Sequence, residues 1–381
     1  LRILEVVVRF HPYVGGVENT VYELGRRLVR RGHEVRVVCA AEPDGPAEVE
    51  GMAVTRVPWR FKLGNTNLAF GLREALLRER PDLIHAHLPT AWFADLAGSM
   101  AAERGVPLVL TYNNDLVGEG LKGALAGLYN RRFLPRLFAA SRWIVITNPL
   151  YPSQSPFLDE DDPKLVYIPW GVGAEAFRPP EREPEPPPPL RIGFLSLLDA
   201  HHHYKGLDVL LQAIARLGGD PPVFLTAGGA GEELGSYRRR AEELGIADRV
   251  AFPGFVPKGE IESFYGGCHV FALPSTDGRR EGFGLVLLEA MACGRPVLTT
   301  PIVGIARDIE PRGVGVLVPP GDPAALAEAL RGLWERRAEL PEMGRRAREL
   351  VEERYTWERV TDDYEDLFLK SCSPKNKGRR P

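Results

Sequence analysis

Residues Glu281–Gly294 read EGFGLVLLEAMACG. One carboxylate stands at the mouth of a glycine-rich turn, and a second, Glu289, lies inside a run that is otherwise apolar, Val286 to Ala292. A carboxylate on the core side of a helix needs a partner, because charges are rarely buried unpaired. Gly282-Phe283-Gly284 lets the backbone approach a ligand closely and opens a helix whose first N–H groups are free. Such groups bind anions of phosphate size. The segment therefore reads either as an anion site flanked by two carboxylates or as an ordinary strand-to-helix connection with Glu289 tied to nearby backbone.

Working outward, short apolar strands alternate with amphipathic helices in both directions. The first half shows strands at Ile3–Val8, Val35–Cys39, Leu83–His85, Leu108–Thr111 and Trp143–Thr147, with a loop Tyr13–Gly16 and a helix running to Arg31. The second half shows strands at 191–194, 223–226, 250–252, 270–273, 297–299 and 315–318. Such alternation implies parallel sheets covered by helices, an α/β class. The reading divides the chain into an N-terminal Rossmann-like domain (1–170), a linker (171–190) rich in Pro and Glu, and a second Rossmann-like domain (191–355). A closing helix (356–370) and a disordered tail (371–381) follow. Ligands of open α/β sheets bind at the carboxyl ends of the strands. Gly15-Gly16 and the Glu281 turn each follow a strand, so both are expected to face one cleft.

Composition narrows the function. A chain of 381 residues with net charge −3 suits two globular domains. Split at Gly171, it has 20 basic and 19 acidic residues before and 28 and 32 after, so neither half is built for nucleic acid. Cys39, Cys268, Cys293 and Cys372 are scattered, which fits a reducing compartment and argues against a disulfide frame or a zinc site. No apolar run reaches the roughly 18 residues of a membrane span, and the sequence opens in a strand rather than a leader. A cytoplasmic location is the expectation.

Several segments, taken in order, resemble one known family. These are FHPYVGGVENTVYELGRRLVRRGHEV (10–35), DLIHAH (82–87), VYIPWGV (166–172), LDAHHHYKGLDVLLQAI (198–214), EGFGLVLLE (281–289) and YTWERVTDDYEDLF (355–368). Together they are similar to the retaining GT-B glycosyltransferases related to glycogen synthase, the group 1 glycosyl transferases. That signature carries two Glu residues with seven between them, as Glu281 and Glu289 have here. The likeness runs through the whole chain up to Lys370.

The resemblance implies a retaining, metal-independent transfer of sugar from a nucleoside-diphosphate sugar, of UDP or GDP type, to a glycan, lipid-linked or small-molecule acceptor. No cofactor or metal ion is implied. Lys205 would neutralise the diphosphate leaving group. The family's Arg a few residues earlier is missing, and His202 of the His201–His203 run is the stand-in by spacing. Glu289 would accept from the ribose hydroxyls and Glu281 from the transferred sugar. The backbone of Gly282, Phe283, Gly284 and Leu285 would meet sugar and phosphate oxygens, and Phe255 and Val256 would hold the base. Gly15 and Gly16 complete the donor set. Asn113 stands where the family commonly has a His beside the reacting carbon; Asn donates a hydrogen bond and cannot titrate. His11, Tyr13, Glu18 and Asp115 are the acceptor contacts, with Glu18 equally readable as a residue favoured by the helix dipole.

Other readings stay open. A nucleotide-sugar epimerase of the same architecture is disfavoured by the match around Glu281. A binding subunit with weakened catalysis is kept open by Asn113. His85 and His87, at i and i+2 on one strand face, read as packed strand-end residues rather than metal ligands. Leu121–Trp143 mixes Lys122, Arg131, Arg132, Arg136 and Arg142 with large apolar residues. It reads either as a core-facing helix with a solvated basic face or as a peripheral contact with the inner face of an anionic membrane.

Overall fold

The computed structural model describes residues 1–13, 15–63, 66–113, 115–116, 120–181, 188–278 and 280–373. The chain forms two compact units: unit 1 comprises Leu1–Gly171 and the segment from Trp357 onward, and unit 2 comprises Val172–Thr356. Residues 182–187 of the expected linker and 374–381 of the expected tail lie outside the described residues.

Unit 1 is built on β1 (Arg2–Val6), β2 (Glu34–Ala40), β3 (Glu48–Val49), β4 (Met52–Val57), β7 (Leu83–Leu88), β8 (Leu108–Tyr112), β9 (Trp143–Ile146) and β10 (Leu165–Tyr167), with a separate hairpin of β5 (Phe61–Leu63) and β6 (Thr66–Leu68). The large sheet runs β10-β9-β8-β7-β1-β2-β4-β3 and is parallel except for β3 against β4. Its central strands read VLTY or LIHAHL because both faces are covered, so the usual polar alternation disappears. One face packs Leu4, Val6, Val38 and Leu110 against Phe93, Ala97 and Leu137. The other packs Ile3, Val7, Val37 and Val109 against Leu24 and Leu28 of the first helix and against Val360, Tyr364 and Phe368. Those last three belong to the closing helix, Trp357–Cys372, which therefore docks on unit 1.

The sequence reading placed no strand between Cys39 and Leu83, yet β3 to β6 lie there. The core strand β4, MAVTRV, was hidden by Thr55 and Arg56, which break its apolar run. The stretch Leu121–Trp143 is not one helix: Gly120–Arg132 and Leu134–Ala140 are separate, and β9 already begins at Trp143. Pro135 sits at the start of the second helix, where its missing N–H costs nothing but where it would break a continuous one. Finally, Ser371 and Cys372 are helical rather than part of a tail.

Unit 2 holds β11 (Leu190–Leu195), β12 (Val223–Gly228), β13 (Val250–Gly254), β14 (Val270–Leu273), β15 (Val297–Thr299) and β16 (Gly315–Leu317), all parallel, in the order β13-β12-β11-β14-β15-β16. The strand order reverses between β11 and β14, which pair through Ile192–Val270 and Gly193–Phe271. At such a reversal the connections leave for opposite faces and open a crevice at the carboxyl ends of the two strands. Lys205 follows β11 and Glu281 follows β14.

Candidate active site

The segment after β11 turns in a short helix, Ala200–Lys205, capped by Asp199, whose carboxylate accepts from the N–H groups of His201 and His202. Gly206 ends it with φ +84°. A Cβ at that position would stand 2.0 Å from the carbonyl oxygen of Pro274, so only glycine lets this turn press against the segment after β14. The backbone N–H of Thr276 then donates to Tyr204 O at 2.7 Å. Two segments some seventy residues apart are thereby pinned together, and their side chains meet.

Lys205 Nζ donates to both carboxylate oxygens of Glu281, at 2.9 and 3.0 Å. Glu281 is only 2% exposed. Its remaining lone pairs accept from Ser275 Oγ and from the N–H of Gly282, the latter at 3.1 Å. The carboxylate is thus a buried group held by one cation and two neutral donors. Lys205 keeps part of its surface in solvent. Tyr204 lies beside it, with Lys205 Nζ 5.1 Å and the Arg280 guanidinium 5.5 Å from its ring centroid. Arg280 is a second cation at this place that sequence reasoning did not single out. Its only signal was adjacency to Glu281. His202, the candidate stand-in, instead has its Nδ1 at 2.7 Å from Asp199 Oδ1.

Past Glu281, Gly284 adopts φ +82° and starts the helix Leu285–Ala292, which no side chain caps. A Cβ on Gly284 would meet Val303 Cγ1 at 2.6 Å. The buried ring of Phe283 packs beside Tyr355, at 5.7 Å between centroids, leaving its backbone as the polar part. Glu289 has the partner its setting demanded: Tyr265 donates its hydroxyl to Glu289 Oε2 at 2.6 Å. Burial nonetheless pushes the Glu289 carboxyl up to about 7, against the pull of the Tyr265 bond. It lies deep among protein atoms yet keeps a partly exposed surface, so it is reachable and half-ionised near neutrality. In the same unit Phe255 is 73% exposed and Val256 half-buried beside Gly228.

The remaining candidates lie in unit 1, also at carboxyl ends of its strands. After β1, His11 stacks on Tyr22 with centroids 5.3 Å apart, and the Arg9 guanidinium lies 5.0 Å from the Tyr13 ring. The Glu18 carboxylate folds back onto Gly15, where a Cβ would fall 2.2 Å from Oε2, and its burial raises the carboxyl. Gly16 faces the Trp170 ring, at 2.9 Å from a Cβ placed there. After β8, Asn113 donates its amide to Leu88 O at 2.8 Å, and Asp115 accepts from Tyr112 and from Ser155, the latter at 3.0 Å. Asn113 is nearly buried and its side chain is tied to the protein.

Beneath them lies a buried polar cluster of which the sequence disclosed only a part. Glu5 Oε1 is 3.0 Å from His85 Nδ1 and Oε2 is 3.1 Å from His87 Nε2. His85 Nε2 reaches Thr111 Oγ1 at 2.7 Å, and that oxygen reaches Tyr364 of the closing helix at 3.1 Å. Glu5, His85 and His87 bring ligand-type atoms within 4.8 Å of one another. Those atoms already bond each other, and His85 turns its second nitrogen to Thr111. Burial would raise Glu5, but the charge of His85 and bonds from both histidines outweigh it and hold the carboxyl at about 2. Burial and repulsion from His85 push His87 down to about 4, against the pull of Glu5. His87 Nδ1 is buried without a hydrogen-bond partner among the described residues.

Residues 189–350 match the family described as glycosyl transferases group 1, and residues 14–172 match glycosyltransferase family 4. A D-inositol 3-phosphate glycosyltransferase of Saccharomonospora viridis is 30% identical over 398 residues, covering 94% of this chain and 90% of that protein. This chain belongs to the group 1 glycosyltransferases. The O-antigen chain mannosyltransferase C of Escherichia coli is 28% identical over 384 residues, 99% of this chain and 100% of that one. The structure of Anabaena Alr3699/HepE in complex with UDP-glucose superposes with a TM-score of 0.71 at 20% identity, over 97% of this chain and 99% of that one. That likeness gives the fold as GT-B, two Rossmann-like units. The six segments quoted from the sequence thus led to the right family.

Proposed function

We propose that this group 1 glycosyltransferase moves a sugar from a nucleoside-diphosphate sugar, of UDP or GDP type, to a hydroxyl-bearing acceptor, without a metal ion and with retention of configuration. The observation that carries the reading is the Lys205–Glu281 pair at the strand-order reversal of unit 2. A nucleotide sugar places a diphosphate next to a ring of hydroxyl groups, and this pair places a cation next to a carboxylate. In this reading Lys205, with Arg280, takes the diphosphate charge that grows as the sugar leaves. Glu281 accepts from sugar hydroxyls, Glu289 from the ribose, and the uncapped helix start meets phosphate oxygens. The UDP-glucose seen on HepE supports a donor of this class.

Acceptor contacts are assigned to unit 1, to His11, Tyr13, Glu18 and Asp115. The acceptor oxygen attacks the anomeric carbon on the face that the diphosphate leaves, and the leaving phosphate oxygen takes the acceptor's proton. This needs no protein nucleophile. Asn113 supports the sugar through a neutral amide.

A lipid-linked acceptor is favoured by one observation. On the outer side of Gly120–Arg132 and the turn that follows, Leu125, Leu128 and Phe133 are 49%, 62% and 43% exposed. Arg131, Arg132 and Arg136 are exposed around them. Apolar side chains ringed by arginines fit an anionic bilayer surface, in keeping with a protein at the inner face of the membrane. Among the described residues no helix is long and apolar enough to cross a membrane.

The test is a panel of UDP- and GDP-sugars screened by thermal shift, since a ligand of the folded state raises Tm. Turnover is then measured with and without EDTA, and the product anomer is read by NMR. Inversion at the anomeric carbon, or loss of turnover with EDTA and rescue by a divalent ion, would overturn the mechanism. No shift with any nucleotide sugar would overturn the donor class.

A further inference from the structure

At its opposite end from the acceptor loops, the unit 1 sheet is incompletely covered. The helix Leu72–Arg78 has seven residues, roughly 10 Å, and stops short of the amino halves of β1 and β2. The hollow left there measures about 490 Å³. That lies within the range of small-ligand sites, roughly 300–1,000 Å³.

The strand pattern shows that the hollow is polar by construction. On this face of the sheet β1, β2 and β4 carry Leu4, Val6, Val38, Ala40 and Val57 in the core. The same face, one step toward the amino ends, carries Arg2 and Arg36, with Thr55 beside them. Side chains at i and i+2 share a face, so these are positions that apolar residues fill when a sheet is covered. Four arginines line the hollow, against two glutamates. Arg36 Nε is 2.6 Å from Glu79, and Arg2 is paired with Asp82 at 2.8 Å. Arg78 and Arg80, on either side of Glu79, are exposed and have no carboxylate within ion-pair distance among the described residues. The hollow thus keeps two guanidinium groups without an ion-pair partner among the described residues, beside a hydroxyl and with Glu34, 3.8 Å from Arg36, as the further carboxylate of its lining.

We propose that this hollow binds a small polyanion carrying two phosphate groups, at a place distinct from the Lys205–Glu281 site. Guanidinium forks match phosphate oxygens two at a time, and two free forks match two phosphates. The proposal does not depend on the donor reading, because no residue is shared between the two sites.

Inorganic pyrophosphate is the probe, titrated by calorimetry into the full chain. Because pyrophosphate also suits Lys205, the titration is repeated on Lys205→Ala, on Arg78→Ala/Arg80→Ala and on Arg131→Ala/Arg132→Ala. All four arginines are exposed, so these variants are expected to keep their circular dichroism. The expected result is a saturable site that persists in Lys205→Ala and in Arg131→Ala/Arg132→Ala. It should weaken by at least about tenfold in Arg78→Ala/Arg80→Ala. Three outcomes overturn the proposal. Wild type binds nothing up to about 10 mM pyrophosphate; binding vanishes with Lys205 and ignores Arg78 and Arg80; or both arginine pairs weaken it equally, which is diffuse electrostatics.

Discussion

Replacing His87 with glutamine removes a titrating group from the middle of the unit 1 sheet while offering an amide N–H to Glu5. In the native fold His87 is held neutral, its value pushed from 6.5 down to about 4 by burial and by its neighbour His85. An unfolded chain binds that proton near 6.5, so between the two values the unfolded state carries more protons. Stability is therefore full above pH 6.5 and is lost as pH falls toward 4. At about 1.4 kcal/mol per pH unit the whole interval is worth roughly 3 kcal/mol. About 2 kcal/mol of it falls between pH 6.5 and 5. Glu5 adds its loss only below its ordinary 4.5, since its own value is depressed to about 2. The assay is urea unfolding followed by circular dichroism, from pH 7.5 to 5, on wild type and His87→Gln. Subtracting the two curves cancels the exposed histidines. Wild type should lose about 2 kcal/mol more than the variant over that range, and at pH 7.5 the variant is expected to be the less stable because glutamine packs less well. Parallel curves would refute the reasoning, for they would mean that His87 carries its proton inside the fold.

Other outcomes follow from the unit 2 site. Lys205→Ala should lower the transfer rate by about 10²–10³-fold, the scale of one lost electrostatic stabiliser, with the fold intact by circular dichroism. Glu289→Ala should weaken nucleotide binding by about 1.5–3 kcal/mol in calorimetry. With Glu289 raised to about 7, nucleotide affinity in wild type should rise several-fold from pH 6 to 8 as the carboxyl ionises, and Glu289→Gln should flatten that profile. Asn113→His should speed transfer by about tenfold, or ~1.4 kcal/mol of barrier, and leave donor affinity unchanged. A slower His form would mean that the amide bond to Leu88 is the feature this active site needs.

What could be read in the chain was what short-range pattern encodes. Lys205 and Glu281 were legible because each follows a strand in a motif of glycine and apolar residues, although their mutual contact was not. That contact depends on Gly206 pressing against Pro274, and no spacing announces a meeting of residues so far apart. Glu289 was legible as a carboxylate in want of a partner, whereas Tyr265, on another helix, was not legible as that partner. Glu5 was missed for a different reason: a lone carboxylate in RILEV looks like a solvent-facing strand residue. It is the neighbouring strand that supplies His85 and His87 to it. β4 escaped because Thr55 and Arg56 hide its period, and Thr55 is among the residues that line the hollow. Polar substitutions on a core face blur the strand pattern, and in unit 1 they occur where the chain either satisfies a buried charge or leaves a space.

The Lys205–Glu281 pair also bears on selectivity. The cation bonds the carboxylate, and the carboxylate, 2% exposed, depends on it. A ligand that offered phosphate alone would draw Lys205 away. Glu281 would then keep Ser275 and the Gly282 N–H but sit as a buried anion close to a second anion. Leaving a buried charge short of partners costs several kcal/mol. A ligand that brings hydroxyl donors next to its phosphate replaces what Lys205 gives up, so no charge is left short. The pair therefore favours molecules that carry both groups side by side. Ser275→Ala sharpens the distinction by removing one of the two neutral donors: Glu281 then leans harder on Lys205, so a free nucleoside diphosphate should lose more affinity than its sugar conjugate does. Equal losses for the two ligands would show that Glu281 does not face the sugar.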